Sequence, residues 1–143
     1  MIEELIREGQ LVKTAPDTRK AENSIVLAKS KIETARAELA AGIYDNSLVS
    51  AYTAMFHAAR AILFKDGFKE RGHYAVYSYI KERYGTAIEM KYLNELNVLR
   101  TIRHKVIYGD EDANAKEVRQ AEAEDAIAMA SGFVGAVRKI LGD

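Results

Sequence analysis

The sequence predicts an all-α fold, one up-and-down antiparallel bundle of four to five helices. Three observations carry that expectation. Proline occurs once, at Pro16, and the glycines fall at intervals, so long stretches run unbroken between short connections. Apolar residues recur at steps of three and four, the period of one helix face. No stretch alternates apolar and polar residues as a half-buried strand would.

The elements follow in order. Residues 2–8 form a short N-terminal helix, and residues 1–13 read as a short extension of a single domain spanning 1–143. The first long helix is expected to open near Thr14, where Thr14 and Asp17 have capping-box spacing and Pro16 falls in the first turn. Its stripe is Ala21, Ile25, Ala28, Ile32, Ala35 and Leu39, and Gly42 is placed to end it in a left-handed conformation. The second helix runs from about Asp45 to Lys65, with Gly67 beyond. Between Ala51 and Phe64 it is apolar almost all round, which marks a central helix. A third helix spans roughly His73 to Tyr84 and stops at Gly85. Thr86 and Glu89 suggest a cap for a fourth helix reaching Tyr108, followed by Gly109. Asn114 and Glu117 are spaced to cap the last, with the stripe Ala123, Ile127, Ala130, Val134, Val137 and Leu141.

Composition narrows the function. At 143 residues, with 48% apolar and 29% charged residues, the chain can bury a single core and is not disordered in character. The absence of cysteine removes thiol catalysis, disulfides and thiolate zinc sites, and fits a reducing cytoplasm. The acidic, amphipathic start is not a signal peptide, and no apolar run is long enough for a membrane span, so a cytoplasmic protein is expected. A formal net charge of zero means that any nucleic-acid role rests on a local patch, on two patches combined in a dimer, or on a partner.

The fourth helix breaks its own pattern. Stepping along the faces that carry Leu93, Leu96, Leu99, Val106 and Ile107 lands on Arg100 and Arg103, and Arg100–Lys105 is the densest basic cluster. Core-facing arginines require partners. Either they pair with Glu122, Glu124 or Asp125 of the last helix, or they grip phosphate. Of the histidines, His57 reads as a satisfied core or interface residue, His73 as a packing or capping residue, and His104 as either solvated or part of a site. The Glu-x-x-His spacing of Glu70 and His73 occurs once, at a helix junction, where a di-iron bundle needs carboxylates from several helices, so no metal or other cofactor is expected. The tyrosines at 74, 77, 79, 84 and 92 read mainly as packing.

The run Ser50-Ala-Tyr-Thr-Ala-Met-Phe-His-Ala-Ala-Arg-Ala-Ile-Leu63, the Gly67 turn, His73 and the segment Leu99-Arg-Thr-Ile-Arg-His-Lys-Val-Ile-Tyr-Gly-Asp110 resemble the small prokaryotic HEPN proteins (higher eukaryotes and prokaryotes nucleotide-binding) over roughly residues 15–140. The resemblance implies a homodimer, association with nucleotide or RNA, and a minimal nucleotidyltransferase as partner in a toxin–antitoxin pair. It implies Arg100, Arg103, Lys105, Tyr108 and Asp110 as nucleotide- or RNA-binding residues. Many such proteins are metal-independent ribonucleases with an Arg-x4-6-His motif. Here Arg103 aligns with the motif arginine and Tyr108 stands five positions later, with His104 adjacent to Arg103. The first expectation is therefore a HEPN component working with a nucleotidyltransferase, for which Tyr108 is also a candidate modification target. The alternatives are an endoribonuclease toxin using Arg103 with His104 or Tyr108, and a purely structural helical interaction module.

Overall fold

The run of alanines and large apolar residues in the second long helix puts it at the centre of the computed structural model, which describes residues 1–142. This helix, α3 (Tyr44–Asp66), buries residues on every side, among them Leu48, Tyr52, Met55, Ile62 and Leu63. Alanines at 51, 54, 58, 59 and 61, all fully buried, let neighbouring helices approach closely. Around it pack α2 (Thr18–Ala40), α4 (His73–Tyr84), α5 (Met90–Tyr108) and α6 (Gln120–Leu141), with the short α1 (Ile2–Arg7) at the margin. The result is the expected all-α bundle. The stripes on α2 and α6 are buried as expected, apart from Leu39 and Leu141, which pack at the edge of the core.

The α2–α3 pair is an antiparallel hairpin. Ser47 Oγ donates to the Ala35 carbonyl (2.7 Å) and Ser50 Oγ to Glu38 Oε1 (2.6 Å), while at the other end the Asp17 amide donates to the Phe64 carbonyl (2.8 Å). Gly42 adopts φ +77°, the left-handed turn expected of it. The caps differ from the sequence reading. Asp17, not Thr14, caps α2, accepting from the Lys20 amide at 3.0 Å, so Pro16 lies ahead of the helix. Glu89 stands at the α5 N-cap without a side-chain bond, and α6 opens at Arg119–Glu122 rather than Asn114–Glu117. Spacing alone cannot show whether backbone geometry lets a cap close.

Strands are also present, where the sequence pattern showed none. Leu11–Lys13 (β1) pairs antiparallel with Phe68–Glu70 (β2) in the register Leu11↔Glu70, Val12↔Lys69, Lys13↔Phe68. Three residues are too few to display alternation, and the partners are distant in sequence. The first thirteen residues are thus built into the fold, with Ile2, Leu5 and Leu11 buried in the core rather than extending from it.

The ribbon directs the chain. Gly67 ends α3 with φ +86°, and β2 then returns alongside α3, where Glu70 Oε1 meets Arg60 Nε at 2.7 Å. Consequently α4 begins beside Tyr52 and runs in the same direction as α3, ending where Tyr79 and Tyr84 both donate to Asp66 Oδ2 (2.7 and 2.6 Å). A Cβ at Gly67 would lie 2.7 Å from the Thr14 carbonyl oxygen and about 3.1 Å from the Pro16 ring. Gly67→Ala therefore combines a strained φ with a backbone clash, and is expected to lower stability by about 1–3 kcal/mol in urea unfolding. Gly42→Ala, with open space around it, is expected to cost about 1 kcal/mol, from φ alone.

Candidate functional site

The basic segment of α5 faces the N-terminus of α4 across an open cleft of about 510 Å³, lined by Gly72, His73 and Tyr74 on one side and Arg100, Arg103 and His104 among others on the other. Arg100 and Arg103 are half-buried. Neither takes part in any ion pair among the described residues. None of the carboxylates expected to bridge to them does so. Glu122 pairs with Lys116 (3.2 Å) and Arg119, Glu124 accepts from Gln120 (2.8 Å), and Asp125 lies near enough to Glu95 to help burial raise the Glu95 carboxyl. The two guanidiniums instead rest over aromatic rings. Arg100 Cζ is 5.2 Å from the Tyr74 centroid and Arg103 Cζ 5.9 Å from that of Tyr52. Arg100 also donates from Nε and Nη2 to Asn97 Oδ1 (3.2 and 3.1 Å). Ring faces steady the cations without neutralising them.

The structure adds two residues, Tyr52 in the apolar run of α3 and His73, read from the sequence as packing or capping. Tyr52 is only 1% exposed, and its hydroxyl lies 2.8 Å from Nδ1 of His73, the first residue of α4. The His73 ring packs against Phe56 (centroids 4.3 Å apart), and Tyr52 (5.7 Å) meets it through the hydroxyl. Burial, reinforced by Arg103 and Arg100, pushes His73 down to about 4, so it is neutral at pH 7. Burial raises Tyr52 to about 12 against the pull of the same arginines. His73 is therefore a neutral imidazole facing two cations, not a simple cap. One signal existed in the sequence: a tyrosine hydroxyl within an apolar helix needs a partner, but nothing in the spacing identified it.

The other expected site residues divide between two neighbouring surfaces. His104 and Lys105 are exposed and line the same cleft. Tyr108 is 65% exposed, its ring 4.7 Å from that of His104, and it lines an adjoining hollow of about 720 Å³ with Lys105 and Asp110. Asp110 has a local task. Its carboxylate accepts from the Asp112 and Asn114 amides (both 2.9 Å), closing the turn after α5, and these bonds hold it below the usual carboxylate range. Gly109 (φ +71°) makes that turn. Ile107, expected on the apolar face of α5, is 47% exposed because the helix leaves the core near its end. His57 is half-buried and its Nδ1 has no hydrogen-bond partner among the described residues, which corrects the expectation of a satisfied histidine; burial, then Arg60 and Lys31, lowers its pKa. Tyr79 is buried, and Tyr77, Tyr84 and Tyr92 are half-buried, whereas Tyr74 is exposed and carries Arg100. Glu70 is turned to Arg60, and no group of three His, Asp or Glu residues among those described converges as a metal site would need.

No helix among the described residues is long and apolar enough to cross a membrane. No curated protein matches the chain. A comparison with protein-family models matches residues 21–140 to the HEPN domain, a span that contains Tyr52, His73, Arg100, Arg103 and Tyr108.

Two outcomes follow from this geometry. Arg103→Ala gives up a ring contact worth about 0.5–1 kcal/mol, not the 3–5 kcal/mol lost when a buried ion pair is broken, so its unfolding midpoint should stay close to wild type. His73 binds its proton less tightly folded than unfolded, so its contribution to stability is complete above pH 6.5 and is lost as pH falls toward about 4. An NMR titration of the His73 ring should place its midpoint near 4, and His73→Phe should reduce acid destabilisation within that window.

Proposed function

The chain belongs to the HEPN domain family, whose members are generally nucleotide- or RNA-related, and on that premise we propose that the cleft between α4 and α5 binds the phosphate of a nucleotide or RNA, in a protein that works with a minimal nucleotidyltransferase. One observation carries the reading: Arg100 and Arg103 face a common cleft, held over tyrosine rings and unpaired with any carboxylate among the described residues. A half-buried guanidinium left without an anion is a standing site for one, and two side by side match the bidentate geometry of phosphate. Lys105 at the rim extends the positive field toward Tyr108. In a homodimer, a chain of zero net charge would present this patch twice. The exposure of Tyr108 suits both contact with the nucleotidyltransferase and modification by it.

A second reading, a metal-independent endoribonuclease toxin, is favoured by His104, which lines the same cleft beside Arg103. There Arg103 would offset charge developing on phosphorus-bound oxygen, and His104 or Tyr108 would move a proton to or from ribose hydroxyls.

Binding is checked by fluorescence anisotropy with labelled single-stranded RNA in EDTA. Wild type should bind, more weakly at high salt, and Arg103→Ala should weaken binding about tenfold or more. RNA binding that Arg103→Ala and Arg100→Ala both leave intact would remove the cleft from the account. Strand cleavage in the same samples, abolished by Arg103→Ala, would establish the second reading. Co-purification with a nucleotidyltransferase, lost in Tyr108→Ala, is the expected outcome for the partner.

A further inference from the structure

His73 is placed and oriented as a ligand group, and its orientation can be deduced. Tyr52 is buried, so its O–H requires an acceptor, and His73 Nδ1 at 2.8 Å is the partner it has. With Tyr52 donating to Nδ1, the neutral imidazole carries its proton on Nε2. Nε2 lies on the side of the ring away from Tyr52, and the ring is held by Phe56 packing and by the Tyr52 hydroxyl while also lining the cleft. The N–H is therefore available to a cleft ligand, as are the guanidiniums of Arg100 and Arg103.

Charge narrows the ligand. The groups facing His73 are Tyr52 from α3 and Arg100, Arg103, His104 and Lys105 from α5. No carboxylate lines the cleft, and Glu70, three residues before His73, is turned to Arg60. A phosphodiester brings one negative charge, which leaves the paired arginines in excess. A phosphate monoester carries about −1.5 to −2 near neutral pH, with three terminal oxygens to accept.

We propose that Arg100, Arg103 and His73 form a three-donor seat for a phosphate monoester, the terminal phosphate of a mononucleotide or of an RNA end. This rests on the cleft being a nucleotide or RNA site and specifies which phosphate it takes. A seated dianion offsets the arginine charge that disfavours the imidazolium. Occupancy of the seat therefore raises the pH at which His73 takes a second proton from solvent. Binding and protonation of His73 are thereby coupled.

The test uses isothermal titration of the full chain with 5′-AMP, adenosine, and a short oligoribonucleotide bearing either a 5′-phosphate or a 5′-hydroxyl. NMR follows the His73 ring in parallel. The phosphorylated ligands should bind about tenfold or more tighter than their hydroxyl counterparts. Saturating 5′-AMP should move the His73 midpoint upward by about one unit or more. His73→Phe, which keeps the ring stack, should weaken phosphorylated ligands about fivefold or more. Tight binding of 5′-AMP identifies a mononucleotide as sufficient, whereas phosphate-dependent binding of the oligonucleotide alone identifies an RNA end; either supports the seat. Equal binding of both oligonucleotides, lost in Arg103→Ala, would overturn the monoester seat and leave the RNA-binding cleft standing. Binding of none of the four would overturn both. Phosphate-dependent binding with an unmoved His73 midpoint would take His73 out of the seat, a result read on the wild-type protein and so independent of how the variant folds.

Discussion

The reversal of the chain between Gly67 and Gly72 is the constraint on which the rest depends. Residues 10–14 hold this segment through the ribbon and two flanking backbone bonds, Thr14 N–H to the Gly67 carbonyl and Arg71 N–H to the Gln10 carbonyl, both 2.9 Å. Had the chain turned directly from α3 into α4, the two helices would run antiparallel, and His73 would lie near the end of α3, far from Tyr52. Returning first along α3 carries His73 back to the middle of the bundle. The turn disfavours any residue with a Cβ at Gly67, because the Thr14 carbonyl and Pro16 occupy the space.

The central helix supplies the second half of that arrangement. Its small residues draw the other helices close, and Tyr52, like Ser47, admits a polar group to the packing. The hydroxyl is satisfied by His73, and the ring face lies beneath Arg103. One side chain thus orients an imidazole and supports a guanidinium. The same packing disfavours an additional charge, which is why His73 is held neutral while the arginines, whose intrinsic basicity is far higher, stay charged. A positive cleft persists in a chain with no net charge because no carboxylate lines it, Glu70, Glu122 and Asp110 being turned to other partners.

Toward its C-terminal end α5 leaves the core, and Ile107 and Tyr108 are exposed. Gly109 and the Asp110 turn fix where the chain departs. Two surfaces result, the Arg100–Arg103 cleft and the Tyr108 hollow, with Lys105 common to both.

The sequence by itself determined the helical class, the extents of α3 and α4, and the buried stripes of α2 and α6, because helix periodicity and glycine stops are local signals. It also singled out Arg100 and Arg103, since charge on an apolar face is visible in spacing alone. What those arginines face was decided by tertiary structure. The choice between ion pairing with Glu122, Glu124 or Asp125 and an unneutralised cleft depends on how α5 sits against α6 and α4, and periodicity carries no information about rotation between helices. The ribbon, the placement of residues 1–13 in the core and the Tyr52–His73 pair are contacts between residues distant in the chain. Each depends on where the backbone returns, and that is settled only when the whole core closes.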